Sequence, residues 1–195
     1  MRVSKVIILP GNGCDDVRQA NWYHTVATEL RHRLKQKQGW GESIGVVLED
    51  MPDPYVARRG VWLPFIKQEL GCDENTILIG HSSGAEAILR LLEEQRVRGA
   101  VLVSACHTDL GDENERESGY YTGEWQWERI KANADWIVQY GSADDPFIPK
   151  EEMDFVHEKL GTEYLFYKNR GHFMTYRFPD LVDLVMQKLE AVMAP

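Results

Sequence analysis

The chain has 195 residues, of which 43% are hydrophobic and 27% charged, a composition that predicts one globular domain over residues 1–195. Its formal net charge of −9, with no concentrated basic face, argues against nucleic acid as a partner, because phosphate binding requires clustered cations. No apolar stretch approaches the ~18 residues of a membrane span, so we expect no membrane partner either.

Cysteine usage and the first residues of the chain bear on the cellular compartment. Cys14, Cys72 and Cys106 show neither C-x-x-C spacing nor an even count, which argues against a disulfide framework and against a zinc site. The apolar segment before Gly11 is too short for a signal peptide. We therefore expect reduced thiols, no metal, and a cytoplasmic location, with the nucleus also open.

The first predicted strand, Lys5–Leu9, ends at the turn-forming sequence Pro10-Gly11-Asn12-Gly13. This loop lacks the third glycine and the following helix of a dinucleotide-binding fingerprint, so no cofactor is predicted. In hydrolases, the loop after the strand beside the nucleophile strand supplies one backbone donor of the oxyanion hole. We therefore predict such a donor at Asn12 or Gly13.

Apolar residues then recur at helical spacing in two segments, each followed by a short run rich in β-branched residues. The predicted elements are a helix from about Trp22 to Gln36, a strand over Gly45–Leu48, a helix within Val56–Leu70 that starts or breaks near Gly60, and a strand over Thr76–Ile79.

The pentapeptide Gly80-His81-Ser82-Ser83-Gly84 follows this strand and fits G-x-S-x-G. Small residues on both sides of a serine let a strand turn sharply into a helix, here predicted from Ala85 to about Glu94. Such a turn would expose the Ser82 hydroxyl and aim the backbone N–H of Ser83 at a bound carbonyl oxygen. The pattern predicts a nucleophile, and an ordinary glycine-rich turn is the alternative.

The second half of the chain continues the alternation of strands and helices. The predicted elements are a strand over Gly99–Ala105, a short helix near Trp125–Ile130, a strand over Trp136–Tyr140, a helix over Lys150–Leu160, a strand over Tyr164–Tyr167 and a helix from about Asp180 to Val192. The acidic stretch Cys106–Glu124 is either a solvated loop or a rim or lid over a site. Strands that alternate with helices predict a parallel α/β sheet.

An acid and a histidine follow two later strands. Asp144 and Asp145 follow the fifth strand and His172 follows the sixth, at the strand ends where α/β sheets place their ligand sites. A serine needs a base to take its proton, and the base needs an acid to orient it. We predict Ser82 as nucleophile, His172 as base and Asp145 as acid, because Pro146 holds the residue before it extended. Asp144 in place of Asp145 is the alternative.

Aromatic residues near these strand ends are candidates for an apolar acyl or aromatic pocket, although core positions are an equal alternative. They are Trp22, Trp62, Trp125, Trp127 and Phe147. The predicted activity is cleavage of a small carboxylic ester or amide through an acyl-enzyme intermediate.

Several longer segments carry a resemblance to a known family. They are Pro10–Gly13, Asn21–Tyr23, Met51–Pro54, Trp62–Phe65, Gly80–Gly84, Asp109–Arg116, Trp125–Glu128, Asp144–Phe147 and Gly171–Phe173. In these segments the chain resembles the retinoblastoma-binding protein 9 family of small serine hydrolases, over nearly its whole length. The resemblance implies a compact α/β-hydrolase fold with a six-stranded parallel sheet of order 2-1-3-4-5-6 and no large cap domain. It also implies Ser82, Asp145 and His172 as the matching triad.

The family name suggests a second class of function. Leu70-Gly71-Cys72-Asp73-Glu74 fits L-x-C-x-E, the motif by which partners bind retinoblastoma protein. A linear peptide bound in a groove must be extended and accessible, whereas this segment joins a helix end to a buried strand. The alternative hypothesis is an interaction module that binds retinoblastoma protein through Leu70, Cys72 and Glu74, with a weak or vestigial hydrolase site.

Overall fold

The computed structural model describes residues 3–193, so the ends of the predicted domain, residues 1–2 and 194–195, lie outside the described residues. Within that range, strands and helices alternate along the chain. The strands are β1 (Lys5–Leu9), β2 (Gly45–Val47), β3 (Thr76–His81), β4 (Gly99–Val103), β5 (Ile137–Ser142) and β6 (Glu163–Tyr167). The helices are α1 (Tyr23–Gln36), α2 (Arg59–Gln68), α3 (Ser83–Leu92), α4 (Glu113–Ser118), α5 (Trp127–Ala132), α6 (Lys150–Leu160) and α7 (Pro179–Met193).

The strands form one six-stranded sheet with the order β2-β1-β3-β4-β5-β6, and every neighbouring pair is parallel. This confirms the predicted compact α/β-hydrolase architecture. Helices cover both faces, so β3 is buried along its whole length. Ile77 and Ile79 pack into the apolar cluster with α1 and α7, whereas Leu78 packs into the opposite cluster with α2 and α3, as alternating strand residues do.

The acidic stretch contains a helix that periodicity alone did not indicate. Asp112 caps the N-terminus of α4, since its Oδ1 accepts the N–H of Glu115 at 3.0 Å. Gly119 ends the helix in the left-handed conformation, at a φ of 80°. An aspartate with a glutamate three residues later is a capping signal in the sequence, and the closing glycine is a second one.

Two strands extend past the glycines at which the prediction ended them. β3 continues through Gly80 to His81, and β5 continues through Gly141 to Ser142. At Gly141 an added Cβ would lie 2.8 Å from the hydroxyl oxygen of Tyr164. Glycine is needed there because the packing is too close for a side chain, and it does not end the strand.

No helix among residues 3–193 has the length and apolar composition that a membrane crossing requires.

The turn between β3 and α3 brings backbones together with no room for side chains. A Cβ at Gly80 would lie 2.4 Å from the carbonyl oxygen of Gly84. A Cβ at Gly84 would lie 2.6 Å from the carbonyl oxygens of both Leu9 and Pro10. Glycine is therefore required at both positions for β1, β3 and α3 to meet.

This contact predicts a large loss of stability for Gly84→Ala. We expect the free energy of unfolding, measured by urea titration, to fall by ~2–3 kcal/mol, because the new methyl group overlaps backbone atoms that cannot move apart freely. Gly60→Ala is the matched control, since a Cβ there meets nothing within 4 Å in the exposed first turn of α2. The control is expected to gain up to ~0.5 kcal/mol from helix propensity. Wild-type stability for Gly84→Ala would contradict this reading of the turn.

Candidate active site

Ser82 lies at the sharp turn between β3 and α3, with a φ of 52° and a ψ of −125°. This positive φ is strained for a residue with a side chain, and it persists because the surrounding structure fixes it. The Ser82 N–H donates to the Val103 carbonyl at 2.9 Å, and the Ser82 carbonyl accepts the N–H of Ala85 at 2.6 Å. The turn is thus anchored to β4 on one side and to α3 on the other.

His172 and Asp145 lie in direct contact. His172 Nδ1 is 2.8 Å from Asp145 Oδ2 and 3.0 Å from Oδ1. The same carboxylate accepts the Ser104 hydroxyl at 2.8 Å and the backbone N–H groups of Phe147 and Ile148, both at 3.0 Å. Burial raises the pKa of Asp145, but the hydrogen bonds from His172 and the backbone outweigh it, so the pKa lies below its usual value. The carboxylate is therefore anionic at neutral pH.

Ser104 is a site residue that the sequence analysis missed. It follows β4 directly, is fully buried, and has a positive φ of 53°. A position at the end of a strand was the reason for predicting His172 as a site residue, and Ser104 has a similar position. Nothing in the sequence around Ser104, however, indicates that its hydroxyl would bond to Asp145. In the structure, its hydroxyl donates a hydrogen bond to the Asp145 carboxylate.

Asp144 has a different position from Asp145. Its Oδ1 accepts the Ser142 hydroxyl at 2.7 Å and the Gly171 N–H at 2.8 Å, and these bonds lower its pKa. Ser142 Oγ in turn accepts the N–H of Arg170 at 2.8 Å. Asp144 therefore ties down the loop that carries His172, whereas Asp145 contacts the imidazole itself.

Ser82 and His172 line one cavity of about 660 Å³. The hydrogen bonds of the His172 ring run to Asp145, and within residues 3–193 none joins Ser82 Oγ to His172 Nε2. The structure thus brings Asp145 and His172 into contact and places Ser82 beside the same cavity.

The three predicted oxyanion-hole residues differ in what their N–H groups do. Ser83 begins α3, where backbone N–H groups lack helical partners. The Asn12 N–H points at this turn and donates to the Ser83 hydroxyl at 3.3 Å. The Gly13 N–H instead donates to the Pro54 carbonyl at 2.7 Å, so it is not directed at a substrate. Of the two alternatives predicted for this donor, the geometry favours Asn12 over Gly13.

A buried relay joins the loop after β1 to the loop that carries His172. His81 Nε2 lies 2.8 Å from the carbonyl oxygen of His172, which can only accept, so Nε2 carries the proton. Burial, followed by the charge of His172, lowers the pKa of His81 to about 3, so Nδ1 is unprotonated and accepts the Tyr23 hydroxyl at 2.7 Å. The Tyr23 oxygen accepts the Gly11 N–H at 3.0 Å.

The cavity also has an acidic side that the sequence analysis missed. Glu86 lies one turn after Ser82 on α3, is 1% exposed, and accepts the Cys106 N–H at 2.8 Å. Burial raises its pKa well above the usual value, so the carboxyl is neutral. Burial also raises the pKa of Glu115, which reaches the cavity from α4.

Within residues 3–193, no group of three or more acids, histidines or cysteines is arranged to hold a metal ion.

Four of the five predicted pocket aromatics lie outside the cavity. Trp22 and Trp62 are completely buried in the two apolar clusters that flank the sheet. Trp125 and Trp127 stack on each other, with ring centroids 5.4 Å apart, against the cluster of α2 and α3. Large apolar rings gain more by packing between helices and sheet than by lining a half-polar cleft. Only Phe147 lines the cavity, with its ring edge-on to His172.

The L-x-C-x-E segment is folded into a tight connection. Leu70 and Cys72 are buried, and only Glu74 is exposed among the three motif side chains. Lys5 Nζ donates to the Leu70 carbonyl at 2.9 Å, and Gln95 Nε2 donates to the Cys72 carbonyl at 2.7 Å. Two of the motif side chains and part of its backbone are thus already engaged within the fold.

The sheet order and the turn at Ser82 define the fold as that of an α/β-hydrolase. Among solved structures, the ydeN gene product of B. subtilis matches with a TM-score of 0.79 at 22% identity, over 96% of this chain and 100% of that chain. The esterase RhEst1 from Rhodococcus sp. ECU1013 matches with a TM-score of 0.63 at 14% identity, over 97% and 91% of the two chains. Both likenesses concern the fold.

Sequence similarity then identifies the family. Residues 6–177 match the family model described as Serine hydrolase. The chain is also 46% identical over 186 residues to Serine hydrolase RBBP9 of Rattus norvegicus, which covers 95% of this chain and 96% of that protein. The chain therefore belongs to the serine hydrolase family, and the resemblance seen in its motifs is confirmed.

The buried neutral Glu86 predicts a pH-dependent stability. The folded protein keeps a proton that the unfolded chain releases above its ordinary pKa of 4.5. The contribution of Glu86 to stability is therefore lost as the pH rises from that value toward the raised folded-state pKa, by at most about 1.4 kcal/mol per pH unit. We expect Glu86→Gln to gain stability relative to wild type as the pH rises from 5 to 8, measured by urea unfolding.

Glu94→Gln is the control, because the pKa of Glu94 is shifted in the opposite direction to that of Glu86. The hydrogen bond from Lys67 lowers the pKa of Glu94, so this change removes an interaction that is present at neutral pH and fades in acid. A stability difference between Glu86→Gln and wild type that stays constant with pH would show that Glu86 is ionised in the folded protein.

Proposed function

We propose that this serine hydrolase cleaves a small carboxylic ester or amide with Ser82 as nucleophile, His172 as base and Asp145 as the acid that orients the base. The observation that carries the proposal is the contact of His172 Nδ1 with the buried Asp145 carboxylate, beside the same cavity as the strained Ser82. Nucleophile, base and orienting acid are the groups that acyl transfer requires.

In the proposed reaction, His172 Nε2 takes the proton of Ser82 Oγ as that oxygen bonds to the substrate carbonyl carbon. The carbonyl oxygen becomes an oxyanion, and its collapse breaks the bond to the leaving alcohol or amine, which takes the proton from His172. A water molecule then attacks the acyl-enzyme with the same base. The products are a carboxylic acid and free Ser82.

Asp145 has the environment that its proposed role needs. The anionic carboxylate holds the Nδ1 proton of His172, which leaves Nε2 as the basic nitrogen, and it stabilises the imidazolium that forms. Ser104 and two backbone N–H groups fix the carboxylate, so it need not reorient during the reaction. Asp144 supports the same histidine indirectly, by holding Gly171.

The backbone N–H groups of Ser83 and Asn12 are the proposed oxyanion donors. The Asn12 N–H is directed at the Ser83 hydroxyl, an acceptor that a developing oxyanion would replace. Both groups belong to segments whose positions are fixed by the close contact of β1 with α3.

The cavity supports a small and partly apolar substrate. Its volume of about 660 Å³ is within the usual range of small-molecule sites. Leu110, Phe147 and Met174 are exposed apolar side chains among its lining residues. We propose that they contact an apolar part of the ester or amide.

For location we propose the cytoplasm, with the nucleus as an alternative. This proposal is supported by three buried cysteines that remain unpaired thiols within the described residues.

Neighbouring aspartates provide the test of the triad. We expect Asp145→Asn to lower kcat on p-nitrophenyl acetate by up to ~10⁴-fold, because the wrong histidine tautomer is then favoured. Asp144→Asn, at an exposed carboxylate that bonds Ser142 and Gly171 but not the imidazole, is the matched control and is expected to lose less than ~10-fold. Ser82→Ala is expected to abolish Ser82-dependent turnover.

Labelling with a fluorophosphonate probe separates the nucleophile from the other residues. We expect the wild-type chain to be labelled and the Ser82→Ala chain to remain unlabelled. Circular dichroism checks that both chains are folded. Labelling of a folded Ser82→Ala chain, or equal losses in Asp144→Asn and Asp145→Asn, would refute the assignment.

We propose that the folded chain does not use its L-x-C-x-E segment to bind retinoblastoma protein. The name of the rat relative refers to such binding, and it is the reason to test the motif. Burial of Leu70 and Cys72 and the engaged backbone argue against it, because a groove-bound peptide needs an extended and accessible chain.

A pull-down with immobilised retinoblastoma pocket domain tests this directly. We expect no capture of the intact chain above background, and no difference for Cys72→Ala or Glu74→Ala. A synthetic peptide spanning residues 68–76 is the control, because it presents the same motif in accessible form. Capture of the intact chain that is lost in Cys72→Ala would contradict the proposal.

A further inference from the structure

The position of Asn12 depends on three hydrogen bonds around the loop after β1. Its neighbours Gly11 and Gly13 donate their N–H groups to the Tyr23 oxygen and to the Pro54 carbonyl, respectively. Both of these bonds hold the flanks of the loop. The Asn12 side chain makes the third bond, from Nδ2 to Glu115 Oε1 at 2.8 Å, and this bond connects the loop to the segment that contains α4.

Glu115 is itself held in a defined geometry. Its N–H is bound by the Asp112 carboxylate at 3.0 Å, and its carbonyl accepts the Ser118 hydroxyl at 2.6 Å. Its second carboxylate oxygen, Oε2, accepts the Tyr121 hydroxyl at 3.3 Å, and Tyr121 contacts Cys106 Sγ at 3.1 Å. Both carboxylate oxygens are therefore engaged, and the acceptor offered to Asn12 has a fixed direction.

Neither the triad nor the sheet requires this carboxylate. Glu115 lies in the segment after β4, outside the strand ends that carry Ser82, Asp145 and His172, and it is only partly buried. Its side chain nonetheless lines the cavity and bonds the residue whose backbone N–H faces the Ser83 turn.

We propose that Glu115 is a positioning residue that holds Asn12 through its side chain so that the Asn12 backbone N–H is aimed at the oxyanion, an inference that rests on the proposed function. The oxyanion develops as Ser82 attacks and is absent from the bound substrate, so the interaction acts on kcat rather than on substrate binding. Misplacing a donor by about 1 Å costs up to ~100-fold in rate, which sets the scale of the effect.

The first test compares kcat and KM of purified full-length variants with p-nitrophenyl acetate. Glu115→Leu is expected to lower kcat by ~10- to 100-fold with KM changed by less than ~3-fold. Glu115→Gln keeps an acceptor oxygen for Asn12 and is expected to stay within ~3-fold of wild type. Glu113→Leu, at an exposed position of the same helix, is the matched control and is expected to be unchanged.

A double-variant cycle tests whether Glu115 acts through Asn12. Asn12→Ala keeps the backbone N–H but loses the side chain that Glu115 holds, so it is expected to match Glu115→Leu. The combined variant is expected to be no slower than either single variant, because both remove the same contact. Losses that multiply in the double variant, or wild-type kcat in a folded Glu115→Leu chain, would overturn the inference.

Reversing the donor and the acceptor gives a test that does not depend on Glu115→Leu folding. Asn12→Asp places two carboxylates in contact and is expected to lower kcat strongly. Adding Glu115→Gln to it restores a donor–acceptor pair, so at least ~10-fold of the loss is expected to return. No recovery would overturn the inference. Wild-type turnover that persists in Ser82→Ala would overturn the proposed function as well, whereas Ser82-dependent turnover with an unaffected Glu115→Leu chain would overturn this inference alone.

Discussion

The close approach of three backbone segments around Ser82 is the constraint on which the site depends. Gly84 leaves room for the carbonyls of Leu9 and Pro10, Gly80 leaves room for Gly84, and a Cβ at Gly11 would lie 3.2 Å from that of Ser82. These contacts enclose the turn and compel Ser82 to keep its positive φ, which an isolated peptide would abandon. The same contacts set the loop after β1 directly over the start of α3. One packing arrangement thus places both Ser82 and the neighbouring N–H groups at the cavity.

Hydrogen bonds between loops then give the site a fixed geometry. The relay from Gly11 through Tyr23 and His81 ends on the backbone of His172, so the loops after β1 and β6 are linked beneath the cavity. The direction of every proton in the relay follows from the carbonyl at its end, which can only accept. Asp144 holds the far side of the His172 loop. A buried network with all partners satisfied resists local opening, which suits a site that must keep its donors in place before substrate arrives.

The sequence predicted the parts of the site that local signals mark. The turn at Ser82 and the loops that carry Asp145 and His172 follow from apolar runs that end in turn formers, whereas the strand order was implied by the family resemblance. Ser104 and Glu115 could not be found in this way, because each acts through a partner at least 41 positions away that only the folded sheet brings near. The tryptophans stayed open between core and pocket for a related reason, since an apolar ring fits both equally well until the packing of both faces of the sheet is known. The short helix α4 could have been predicted from the sequence, because Asp112, Glu115 and Gly119 form a capping pattern.

Asp145 and Glu86 are two buried carboxyls of the site that differ in charge. Asp145 receives hydrogen bonds from His172, Ser104 and two backbone N–H groups, so it remains an anion despite burial. Glu86 is 1% exposed, and its carboxyl accepts the backbone N–H of Cys106 at 2.8 Å. The hydrogen bonds to Glu86 do not offset the loss of hydration, so its pKa is raised and the carboxyl keeps its proton. The anionic Asp145 carboxylate therefore contacts His172, where it stabilises an imidazolium, whereas the Glu86 carboxyl that lines the cavity with Ser82 is neutral. Because a second anion there would oppose the oxyanion, the protonation of Glu86 and the ionisation of Asp145 favour the same reaction.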